Sequence, residues 1–117
     1  MVGTIEQKRK PVANPMKIAI IGASGQVGTN LVKVLSKNNE VIALTHEDMD
    51  ITNFDKTRET LLKLKPKAVI NTAAYHKTDE CEENPEKSFL VNSIAVRNLA
   101  LACKEIGSVF IHFSTDY

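Results

Sequence analysis

At 117 residues, 43% hydrophobic and 25% charged, the chain has the makeup of one ordinary globular domain at most. Its formal net charge is +1, and residues 16–117 hold 12 basic against 13 acidic side chains, so no electrostatic surplus invites nucleic acid. No run approaches the roughly 20 apolar residues that span a bilayer, and no membrane partner is expected.

Residues 1–15 set Lys8, Arg9 and Lys10 against Glu6 and lack the apolar centre of a secretory signal, so they read as a flexible basic leader ahead of Met16. MKIAIIG (16–22) is a short continuous apolar run, the pattern of a strand covered on both faces. Val27, Leu31, Val32 and Leu35 then recur at helical spacing until Asn38 and Asn39 interrupt them. EVIALT (40–45) is a second strand of the buried type. Asp50 to Asn53 offer N-caps for a helix carrying Phe54, Leu61, Leu62 and Leu64, which Pro66 stops. KAVIN (67–71) is the third strand. Asn84 and Pro85 open the next helix as cap and first residue, because proline lacks only an N–H that would have no partner there. Phe89, Leu90, Ile94, Leu99, Cys103 and Ile106 draw its apolar face, Gly107 ends it, and SVFIHF (108–113) is the fourth strand.

Strand and helix alternating in this way make three successive βαβ units. Right-handed crossovers require a parallel sheet with helices on both faces, so the expected fold is α/β: a Rossmann-like, doubly wound sheet, incomplete at about four strands and three helices. Cys81 and Cys103 have no C-x-x-C spacing, which fits a reducing cytoplasm rather than a disulfide framework or a zinc site. His46, His76 and His112 lie in separate segments, and no metal site is expected.

GASGQVG follows the first strand. Gly22 would permit the sharp turn, Gly25 the close approach of backbone to a pyrophosphate, and Gly28 the close packing of the helix. Unpaired N–H groups at the helix start would bind the phosphates, with Ser24, Gln26 and Val27 facing them through side chain or backbone. Strand, loop and helix in that order are the context such a motif needs. The G-x-x-G-x-x-G spacing resembles the extended short-chain dehydrogenase/reductase superfamily, in which the loop holds NAD or NADP. At the end of the second strand, Glu47 curling back onto the ribose would favour NAD(H), and His46 facing it would accept the phosphate of NADP(H). A solvated turn is the third reading, and NADP(H) is the one preferred.

Further segments extend the resemblance. Asp50-Ile51 is similar to the superfamily's acidic-aliphatic pair beside the adenine, and Asn71-Thr72-Ala73-Ala74-Tyr75 to its N-x-A-A segment around ribose and pyrophosphate. Asn92 matches its Asn ahead of an Ala/Leu-rich helix, although a core amide bonded to backbone accounts for it equally. GASGQVG, NTAAYHKTDECE and HFSTDY in this order resemble the dTDP-4-dehydrorhamnose reductase family over residues 16–117, about the first third of such an enzyme. The resemblance implies reduction of a 4-keto deoxysugar nucleotide by a nicotinamide cofactor. It places Thr115 as the hydroxyl that polarises the substrate carbonyl, with a Tyr and a Lys four residues on as proton donor and its support.

No Y-x-x-x-K is present: Tyr75 is followed by Asp79 at the fourth position, and Tyr117 is the last residue. Residues 16–117 are therefore expected to be the front of a dinucleotide-binding domain, inactive alone, cut before the catalytic Tyr/Lys segment. The unpaired edge of the fourth strand is expected to drive association into a homodimer. Two other readings stand beside this one: a non-catalytic dinucleotide-binding module similar to the regulatory subunit of methionine adenosyltransferase, and an epimerase or dehydratase of the same superfamily.

Overall fold

The computed structural model describes residues 15–73 and 85–113. Their order is β1 (Lys17–Ile21), α1 (Gln26–Leu35), β2 (Glu40–Leu44), α2 (Phe54–Leu64), β3 (Ala68–Asn71), α3 (Pro85–Ile106) and β4 (Val109–His112). The leader up to residue 14, the Asn84 cap and Cys81 lie outside the described residues.

The four strands form one parallel sheet in the order β2-β1-β3-β4. The chain moves from β1 outward to β2, returns across β1 to β3, and continues to β4. Helices accordingly lie on both faces. On one face Ile18, Ile20, Ala68 and Ile70 pack against Leu31, Val32 and Leu35 of α1. On the other, Ala19, Ile21 and Val69 meet Leu61 of α2 and Ala95, Leu99, Ala102 and Cys103 of α3. The parallel α/β architecture expected from the apolar runs is present.

Local chemistry sets the element ends. Asn39 closes α1, its amide donating to Leu35 O at 3.2 Å while its Oδ1 accepts from Met16 N. Asn53 caps α2 by accepting from Lys56 N at 3.1 Å, satisfying an amide that the helix leaves without a partner. Lys65 ends that helix in the left-handed region at φ 45°, ahead of Pro66. Gly107, at φ 74°, does the same for α3.

Three expectations about burial are corrected. Central β1 and β3 are buried along almost their whole length, whereas β2 and β4 are largely half-buried or exposed because each is an outer strand. Val27 is 46% exposed and takes no part in the α1 core face. On α3, Phe89, Leu90 and Ile94 are exposed, and the core is met through Ala95, Leu99, Ala102 and Cys103. Length accounts for the last difference. A 22-residue helix is about 33 Å long and a four-residue strand about 13 Å, so the front of α3 overhangs the sheet it covers.

Candidate functional site

β1 hands the chain to a turn at the point where the connections diverge, to β2 on one side and β3 on the other. In an open parallel sheet this topological switch point, at the carboxyl ends of the strands, is where ligands bind. Gly22 makes the turn at φ 83°. Its amide and that of Ala23 both donate to Leu44 O, at 3.0 and 3.2 Å, and Gly25 N returns to Gly22 O at 3.0 Å. Thr72, just past β3, donates its hydroxyl to Ile21 O at 2.8 Å and to Gly22 O at 3.2 Å. Thr29 in α1 donates its hydroxyl to Ala23 O at 3.1 Å.

The two outer glycines of the motif are required by the fold itself. A Cβ on Gly22 would sit 2.6 Å from Thr72 Oγ1, and one on Gly28 would sit 2.2 Å from Gly22 O. The helix therefore packs closely on the turn, not on the sheet alone. Gly25 is different. Among the described residues a Cβ there would meet only Gly22 O, at an ordinary 3.5 Å, and the backbone is extended at φ −79°, ψ 175°. Among the described residues nothing forbids a side chain at Gly25, so the space it leaves faces away from them.

Gly25 is also the N-cap of α1, and it supplies no side-chain acceptor. The first intrahelical bond runs from Thr29 N to Gly25 O, so the amides of Gln26, Val27 and Gly28 precede it. No acidic residue occupies the first turn, where most helices gain from one. A helix start with open amides, no carboxylate and no capping side chain is suited to an anion. Ser24, Gly25, Gln26 and Val27 are all exposed around it. The residues present therefore fit a dinucleotide's pyrophosphate.

At the end of β2, Asp48 folds back and accepts from Thr45 N at 2.8 Å and Thr45 Oγ1 at 2.9 Å, bonds that hold its carboxyl below the usual range. His46 and Glu47 are exposed at the tip of this turn. Burial works to raise the Asp50 carboxyl, but the hydroxyl and amide of Thr52, with His46 nearby, outweigh it and leave it lowered. Ile51 is buried in the main core beside Met49.

At the end of β3, Asn71 is fully buried. Its Oδ1 accepts from Ala73 N at 3.1 Å, and its Nδ2 lies 3.1 Å from His112 Nδ1 at the end of β4. Half-buried Ala73 thus stands beside the glycine turn, across from Gly22. Asn92 is half-buried on α3. Ala74, Tyr75 and Thr115 lie outside the described residues. Sequence reasoning gave no task to Thr29, Thr72 or His112, since a hydroxyl or ring that serves a neighbouring strand leaves no periodic signal.

Among the described residues, no group of three or more His, Cys, Asp or Glu side chains could hold a metal ion. None of their helices is long and apolar enough to cross a membrane. A shallow hollow of about 440 Å³ lies at the opposite end of the sheet, lined by Lys17, Lys65, Pro66, Lys67 and Ile106, far from the glycine turn.

Residues 16–117 match the model of a family described as RmlD substrate binding domain. The dTDP-4-dehydrorhamnose reductase of Burkholderia thailandensis is 37% identical over 102 residues, covering 87% of this chain and 34% of that protein. The spore coat polysaccharide biosynthesis protein SpsK of Bacillus subtilis is 37% identical over 102 residues, 86% of this chain and 36% of its own. The crystal structure of dTDP-4-dehydrorhamnose reductase from Bacillus anthracis in complex with NADP superposes with a TM-score of 0.79 at 30% identity, over 92% of this chain and 39% of that one. The chain spans about a third of the length of the curated relatives it matches.

Proposed function

We propose, from the premise that this chain belongs to the RmlD substrate binding domain family, that it is the NADP(H)-binding part of a reductase acting on a 4-keto deoxysugar nucleotide of the dTDP-4-dehydrorhamnose kind. The observation that carries the reading is Gly25. It sits where the fold itself tolerates a side chain, at a helix start with open amides and no carboxylate. The related enzyme solved with NADP supports the cofactor.

When bound, the dinucleotide supplies the hydride. The chain's own work is to bind and orient. The amides of Ser24, Gln26, Val27 and Gly28 would hold the pyrophosphate, and the backbone around Asp50 and Ile51 would flank the adenine. Ala73, Ala74, Tyr75 and Asn92 would line the ribose side. His46, exposed beyond β2, would meet the ribose phosphate, and the nearby Asp48 carboxylate is already engaged by Thr45. That arrangement favours NADP(H) over NAD(H). Thr115 would donate to the substrate's carbonyl oxygen as negative charge builds there. Neither tyrosine has a lysine four residues on, so the chain alone is assigned binding and not turnover. A second reading is a non-catalytic dinucleotide-binding module, which needs only the same phosphate turn. We place the protein in the cytoplasm, consistent with its two widely spaced cysteines.

Fluorescence titration with NADPH and NADH tests the binding assignment. Saturable binding of NADPH, tighter than that of NADH, is expected. No saturation by either would overturn the assignment, and a preference for NADH would overturn the role of His46. NADPH oxidation in the presence of dTDP-4-dehydrorhamnose, with a chain extended through any Y-x-x-x-K segment its gene encodes, separates the reductase from the binding module.

A further inference from the structure

We propose that Thr29 and Thr72 are positioning residues of the phosphate turn, whose hydroxyls prevent its peptide planes from flipping and so keep the Ser24 amide available to the pyrophosphate. The inference rests on the dinucleotide reading above and assigns work to two side chains outside the glycine motif.

The turn holds a limited set of donors. The amides of Gly22 and Ala23 are both spent on Leu44 O, and that of Gly25 on Gly22 O. Among the described residues, Ser24 N is the one turn amide with no such acceptor. Its direction is set by the Ala23–Ser24 peptide plane, because carbonyl and amide of a trans peptide point opposite ways. Thr29 holds that plane by donating to Ala23 O at 3.1 Å. A flip would present a carbonyl oxygen where the N–H had been, and an oxygen's partial negative charge repels phosphate.

Thr72 secures the two preceding planes, its hydroxyl bonding both Ile21 O and Gly22 O. Its amide makes a second bond to Ile21 O, at 2.9 Å, so the residue is itself anchored. One threonine comes from the helix after the turn and the other from the exit of β3, and Gly22 leaves the room that Thr72 needs. The pair links two sheet exits and a helix start at the single loop that must present donors.

The test uses Thr29→Val and Thr72→Val, which keep shape and lose the hydroxyl, with Thr→Ser at each position as rescue. NADPH is titrated by fluorescence, and ADP and adenosine are measured as competitors. Each valine variant is expected to weaken NADPH and ADP about fivefold, the loss that one modest hydrogen bond implies. Adenosine, which has no phosphate, should change less than twofold, and serine should restore ADP affinity. Melting curves confirm folding, and alanine replaces valine where the valine variant does not fold. Valine variants that bind NADPH like the wild type would overturn this proposal alone. Equal weakening of ADP and adenosine would also overturn it, because the hydroxyls would then serve the fold in general. A wild-type chain that does not bind NADPH would overturn this proposal and the cofactor assignment together.

Discussion

Gly25 and Gly28 are three residues apart in one motif, yet they are glycines for different reasons. Gly28 is imposed from within: Gly28→Ala brings a methyl 2.2 Å from Gly22 O and is expected to cost about 1–3 kcal/mol in urea melts. Gly25→Asp should leave the melt nearly unchanged and abolish NADPH binding, since a carboxylate would stand beside the phosphates. Retained titration of that variant with NADPH would remove the site from this turn. Cys103 makes a prediction of another kind. Burial raises its thiol to about 11, so it stays protonated near neutrality and should resist thiol reagents until the chain unfolds. Because the folded form holds this proton more tightly, its contribution to stability is intact below the ordinary thiol value and falls as pH rises towards 11. Rapid labelling of Cys103 in the native chain, read by peptide mapping, would contradict that burial. All three positions were visible in the sequence. Which glycine serves the chain and which serves a ligand was not, because that depends on what a Cβ would touch.

At the scale of elements, α3 best separates pattern from packing. Apolar spacing marks Phe89, Leu90 and Ile94 as core in the same way as Leu99 and Cys103, yet Phe89 is 73% exposed and Leu99 fully buried. Leu99→Ala should therefore cost about 2–5 kcal/mol, and Phe89→Ser should stay within about 0.5 kcal/mol, both measured by urea denaturation of this chain. Similar losses at the two positions would mean that the front of α3 is covered after all. The helix is long enough to overhang the sheet, and periodicity carries no information about where a helix outruns its partner. The exposed Arg58–Glu105 pair, at 2.6 Å, joins α2 to α3 and should matter little, and less still in salt. Turn chemistry was more legible. Asn53 emerged as the cap from the stretch 50–53, while Asp50 closes on Thr52.

Across the whole molecule, the outer side of the sheet is unevenly covered. Val109, Ile111 and Phe113 continue the face that α1 packs on, but each is more than 40% exposed. Among the described residues β4 pairs only with β3. An apolar outer strand invites pairing with another chain, so concentration-dependent dimerisation is expected in sedimentation, and Ile111→Lys should weaken it. A wild-type monomer at all concentrations would contradict this. By itself, the sequence determined the order of elements, the parallel sheet and the glycine turn between a strand and a helix, because those follow from local periodicity and from the few residues that fit a bend. The tertiary structure alone decided which strands lie outermost, how far α3 overhangs, and that Thr29, Thr72 and Leu44 converge on one turn. Those outcomes depend on contacts between segments up to about 50 residues apart, across crossovers whose packing no local pattern records.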